Sequence, residues 1–173
     1  HAMKARSLTL IAALLVFAGC QYDSPLTDEH SVSIDRALLG VWEEIPDDGA
    51  SLDELNRMVV LKFSETEYLV HYPVKKNGGY YRAYPFSLGG VEGVQLEILG
   101  SGSGPIEEDE DDIYIVASYA IINGELEVQL LNEQLVDDDL PGSAAIREAF
   151  LKNKESKDLF TDPGKFRRVE NQD

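Results

Sequence analysis

The chain contains a single cysteine, Cys20. One thiol cannot form an intrachain disulfide, and it cannot build a Cys-rich zinc site. Histidine is nearly as scarce. His1, His30 and His71 are the whole set, and no His-x-x-x-His pair exists to hold a metal. Positive charge is short as well: 15 Lys and Arg stand against 32 Asp and Glu, for a net charge of −17. Such a surface repels phosphate, which excludes nucleic acid as a partner, and it is repelled by anionic membrane surfaces. No glycine-rich stretch ends in Lys-Ser or Lys-Thr, so there is no phosphate loop. The serines of "GSGSG" do not make a nucleophile elbow, because Gly102 takes the central position. Carboxylates are so numerous that no pair stands out as acid and base. The residues therefore describe a non-enzymatic protein with no cofactor and no metal.

What is present begins at the N-terminus. His1-Ala2 precede Met3 and read as a cloning remnant. Lys4 and Arg6 form a short basic region, followed by the apolar run "LTLIAALLVFAG", Leu8 to Gly19. A bilayer span needs about twenty residues. This run is shorter and suits the h-region of a signal peptide. It closes on Phe17-Ala18-Gly19-Cys20, which resembles the lipobox of bacterial lipoproteins. Ala18, Gly19 and Cys20 fit that pattern, while Phe17 stands where leucine is usual. The resemblance implies that Cys20 is lipidated and becomes the new N-terminus. It also implies a cell-envelope location, with Gln21 after the cysteine pointing to the outer membrane, facing the periplasm. Losing Lys4 and Arg6 takes the net charge to −19. The expected organisation is remnant plus signal peptide over 1–19, lipidated cysteine and flexible tether over 20–32, and one domain over 33–173.

Ser33 to Leu39 could form a short helix with Ser33 as its cap. After that the pattern turns to strands. β-branched and aromatic runs lie at 40–45, 57–63, 67–74, 80–88, 91–99, 113–122, 125–132 and 165–170. Gly89-Gly90 and Asn123-Gly124 between such runs are hairpin signals. Val94, Leu96 and Ile98 alternate with Gln95 and Glu97, so one face is buried and one is wet. Asp47-Asp48-Gly49 reads as a turn, and Ser51 with Glu54 as a capping box. Pro85 belongs at an edge or a bulge. The segment 100–112 reads as a flexible loop ending in six acids, Glu107, Glu108, Asp109, Glu110, Asp111 and Asp112. Helical spacing appears once, late, where Ser143 can cap a stripe of Ile146, Ala149 and Phe150. "DLFTDPG" reads as a turn of helix before the last strand.

This is a mainly β chain, an antiparallel meander of about eight strands that closes on itself, with one late α-helix. Closure removes the strand edges. Gly40-Val41-Trp42 at the opening of the first long strand resembles the Gly-x-Trp of lipocalin and calycin barrels. The resemblance implies a calycin-like β-barrel in which Gly40 and Trp42 close one end and an arginine of the last strand lies across the indole. Arg168 shares a face with Phe166 and is the favoured arginine over Arg167. An unrelated antiparallel barrel or sandwich with Trp42 in its core is the alternative.

Two functions fit. One is an acidic, envelope-anchored interaction module that docks or inhibits a basic partner protein through residues 107–112, with Asp137, Asp138 and Asp139 as a second acidic run. The other is a lipocalin-like carrier of a small apolar ligand or lipid. Seven tyrosines crowd the strands and suit a barrel mouth or an interface.

Overall fold

The computed structural model describes residues 20–46 and 55–170. The expected signal peptide at 1–19, the expected turn at 47–49 and the expected capping box at Ser51 and Glu54 lie outside the described residues. Among the described residues the strands are β1 (Gln21–Tyr22), β2 (Gly40–Glu44), β3 (Arg57–Lys62), β4 (Tyr68–Tyr72) and β5 (Gly79–Leu88). Next come β6 (Val91–Ser101), β7 (Gly104–Pro105), β8 (Tyr114–Ile122), β9 (Glu125–Leu131) and, after the helix α1 (Ser143–Asn153), β10 (Phe160–Arg168). A 3-10 turn, Arg36–Leu38, precedes β2.

All the pairings are antiparallel. β2 through β6 pair in sequence, β6 pairs with β8, β8 with β9, β9 with β10, and β10 returns to β2. Eight strands thus form a closed ring. The turn residues explain why neighbours pair: Gly89, Gly90, Asn123 and Gly124 all have positive φ, as tight hairpins require. The half of β5 from Tyr84 onward pairs with β6 alone, which accommodates Pro85 on a one-sided strand.

Alternation then builds two apolar layers. Residues facing into the ring, among them Trp42, Tyr68, Ile115, Leu126 and Phe166, form the inner core. Residues facing outward from β5, β8 and β9, including Phe86, Val116 and Leu131, form an outer core under α1, where Ile146 and Phe150 are buried. Each large side chain taken out of water contributes about 1.5–3 kcal/mol. The helix is capped by Gly142 rather than Ser143. The 3-10 turn is capped by Asp35, not Ser33, through an Asp35 carboxylate that accepts from the Ala37 amide.

Three stretches differ from the sequence expectation. Residues 20–32 pack onto the ring: β1 pairs with the start of β8, and Tyr22 and Leu26 are fully buried. Since β9 does not reach the start of β8, its ladder there is open, and β1 fills it. The glycines of 100–104 are not a floppy loop. β6 runs through Ser101 and folds back onto β7, and the Gly102 amide donates to the Gly78 carbonyl at 3.1 Å. The "FTDPG" segment is not helical but opens β10, with a register shift between Thr161 and Gly164 and positive φ at Asp162.

Candidate functional site

The ring has two ends with opposite chemistry. One end holds the 3-10 turn, the β3–β4 turn and the last residue of β10. Trp42 is buried there and its indole N–H donates to the Leu38 carbonyl at 2.9 Å. Arg168 lies over the indole, its guanidinium carbon 4.3 Å from the ring centroid. The same guanidinium donates to the Leu39 and Ala37 carbonyls at 2.7 and 2.5 Å. Gly40 is required beside it. Its φ is +132°, and a Cβ there would stand 2.6 Å from Arg168 Nη1. Arg167 points to the outer face and pairs with Glu43. Tyr68 completes the seal, its hydroxyl bonded to the Asp35 backbone.

The interior above this plug is nearly full. A cavity of about 50 Å³ remains, with only apolar atoms exposed on a lining that includes Met58, Tyr68, Leu96 and Tyr119. Sites for small ligands run to several hundred Å³.

At the other end the ring opens into a cleft of about 460 Å³. Tyr72, Tyr81 and Ile98 form its apolar wall, and Glu110, Asp111 and Asp112 form its acidic rim. The wall is shaped by backbone devices. β6 bulges at Leu99, opposite Tyr80 and Tyr81 of β5, and the absent Cβ of Gly79 makes room for the Tyr81 ring, whose hydroxyl would lie 2.5 Å from it. Gly78 lets the 73–78 turn close on the Pro73 carbonyl, and Gly102 lets the β6–β7 hairpin touch that turn at the Lys76 carbonyl, backbone to backbone.

The structure gathers the two acidic runs on one side. The Asp112 amide donates to the Asp23 carboxylate at 2.8 Å, and the Tyr22 hydroxyl donates to the Val136 carbonyl at 2.8 Å. β1 and the adjoining Asp23 thus bridge 107–112 and 137–139. Partial burial, together with the neighbouring Asp23, Asp111 and Asp138 carboxylates, raises the Asp112 pKa. Asp138 is raised for the same reasons, burial first and then Asp139, Glu133 and Asp137. The carboxylates of Asp137, Asp138 and Asp139 lie within 4.8 Å of one another. Glu107 to Asp109 continue the exposed surface outside the cleft.

Cys20 stands at the edge of this acidic face, its thiol 3.5 Å from a Glu133 carboxylate oxygen. Burial pushes the thiol up to about 11, so it stays protonated and a poor nucleophile at neutral pH.

A polar clasp that sequence reasoning missed holds residues 26–30. Gln95 is fully buried on the outer face of β6, and its side-chain oxygen accepts from the Leu26 and Thr27 amides at 2.6 and 3.2 Å. Glu67 accepts from Arg82 Nε at 3.1 Å and Nη2 at 2.5 Å, and from His30 Nδ1 at 2.5 Å. His30 stacks on Tyr84 at 3.7 Å. His71, the other strand histidine, stacks on Tyr80 at 4.1 Å. The only advance signal for the clasp was a glutamine on the outer face of a strand.

No family model, no curated protein and no solved structure matches the chain.

Proposed function

We propose that this protein is a lipid-anchored, non-enzymatic interaction module of the cell envelope. It docks a basic protein at the acid-rimmed end of a calycin-like barrel. The observation that carries this reading is the cleft of about 460 Å³, where Glu110, Asp111 and Asp112 face Tyr72 and Tyr81. A lysine or arginine side chain entering there would find carboxylates for its charge and phenol rings for its stem. Desolvation first, and then the neighbouring Asp23, Asp111 and Asp138 carboxylates, raise the Asp112 pKa; an incoming cation would relieve the repulsion among those carboxylates. The sequence up to Cys20, a basic start, an apolar run and Ala18-Gly19-Cys20, supports lipidation at Cys20. The Gly40, Trp42 and Arg168 arrangement supports the calycin-like reading of the closed end. The carrier alternative is less well supported, because the inner cavity of about 50 Å³ is too small for a lipid.

The test uses oligolysine as the probe and the chain with its anchor region intact. Binding is expected to weaken at least about tenfold between roughly 0.05 and 0.5 M salt. The triple variant Glu110→Gln, Asp111→Asn, Asp112→Asn is expected to bind about tenfold more weakly at low salt, with circular dichroism unchanged. Affinity indifferent to both salt and the variant would overturn the proposal.

A further inference from the structure

The rim of the cleft at the open end carries charge of both signs. The 73–78 turn joins β4 to β5, and residues 106–112 lead from β7 to β8, with β6 and β7 between them in the sheet. Pro73 and Asn77 of the turn line the cleft, as do Glu110, Asp111 and Asp112. Between Pro73 and Asn77 stand Lys75 and Lys76, both exposed. Among the described residues neither lysine makes an ion pair, although carboxylates border the same cleft. Main-chain bonds hold both flanks. The Gly78 amide donates to the Lys75 carbonyl at 2.9 Å, and the Gly102 amide ties the turn to the β6–β7 hairpin at 3.1 Å. On the other flank the Asp112 amide is bonded to Asp23 at 2.8 Å. The floor of Tyr72, Tyr81 and Ile98 is apolar, and the ring behind it is filled except for the cavity of about 50 Å³. The cleft is therefore blind.

Resting on the reading of this cleft as a docking site, we infer that it takes the carboxy-terminal residue of the partner chain, and that this residue is lysine or arginine. The two flanks select the occupant. A purely basic segment satisfies Glu110, Asp111 and Asp112 but brings more positive charge beside Lys75 and Lys76. A basic residue that ends a chain carries both signs within one residue. Its side-chain cation meets the acids, and its α-carboxylate meets the lysines. The stem of the side chain lies along the Tyr72 and Tyr81 rings. A blind cleft suits a chain end, because a chain passing through needs a way out. A volume of about 460 Å³ is that of a small-ligand site, with room for a few residues and not for a folded surface.

Calorimetric titration of the full chain tests this with three probes: the N-acetylated peptide Ala-Ala-Ala-Lys as the free acid, the same peptide as its carboxamide, and free lysine. At low salt the free acid is expected to bind about fivefold more tightly than the carboxamide. The variant Lys75→Gln with Lys76→Gln should move the two peptides in opposite directions. It weakens the free acid and strengthens the carboxamide, so the difference between them vanishes. A general loss of structure would weaken both. Both lysines are exposed, so the variant keeps its fold, as circular dichroism would verify. A carboxamide that binds as well as the free acid overturns the inference and leaves the basic-partner reading standing, as does oligolysine binding with neither peptide bound. A free-acid advantage that persists in the lysine variant overturns the assignment to Lys75 and Lys76. Free lysine binding as tightly as the peptide overturns the chain-end ligand in favour of an amino acid. Failure of oligolysine as well as both peptides overturns the docking reading itself, and the inference with it.

Discussion

Glu67 is the charged side chain that the described residues bury most deeply, at 6% exposure. The hydrogen bond from Arg82, aided by His30, holds its carboxyl below the ordinary range against the opposing effect of burial. A carboxylate with a lowered folded-state pKa stabilises the fold above its unfolded value, near 4.3, and loses that contribution as pH falls through the folded value. Glu67→Gln should therefore cost about 1.5–3 kcal/mol at neutral pH, by urea unfolding. The deficit should shrink as pH drops below about 4. A deficit constant with pH would mean that the hydrogen-bond geometry, not the charge, is what stabilises. At the same scale, alternation along the last strand separates Arg167 from Arg168. The first meets Glu43 outside the ring and the second meets Trp42 inside it. What alternation could not supply is the reach of Arg168 to the Ala37 and Leu39 carbonyls, which needs the missing Cβ of Gly40.

At the scale of elements, hairpins were legible and long-range additions were not. Asn123-Gly124 and Gly89-Gly90 announce their turns because positive φ has few residue solutions. β1 has no such mark. Two residues carry no period, and their partner on β8 lies about ninety positions away in the chain. Asp162-Pro163-Gly164 has the composition of a turn yet serves as a bulge, since the β9 ladder on either side of it holds the strand together. The folded state of residues 20–32 yields a direct prediction. Leu26→Ala should cost about 2–4 kcal/mol, the range for emptying a fully buried leucine site. The Leu26 and Thr27 amides, bonded to Gln95, should exchange slowly with solvent. A free tether would show neither effect.

At the scale of the molecule, the ring puts its seal at one end and its acids at the other. The sequence foretold the acids but not their meeting. Residues 107–112 and 137–139 are separated by two strands of the ring, and Tyr22 of β1 with the adjoining Asp23 links them. With a net charge of −17 concentrated in this way, self-repulsion weakens the compact state. Raising sodium chloride from about 0.02 to 0.5 M should raise the melting temperature by several degrees. A flat response would mean that neighbouring Lys and Arg already neutralise the acids.

The packing of Gln21 and Tyr22 also decides how far the domain could travel from an anchor. A random-coil leash of a dozen residues would let it sweep a hemisphere some 20 Å in radius. A strand that begins one residue after Cys20 leaves almost no leash. If Cys20 carries the proposed lipid, the acidic cleft is held close to the bilayer, and the search for a partner becomes lateral diffusion in two dimensions. Partners embedded in or resting on the same membrane are then encountered far more often than those free in the surrounding fluid.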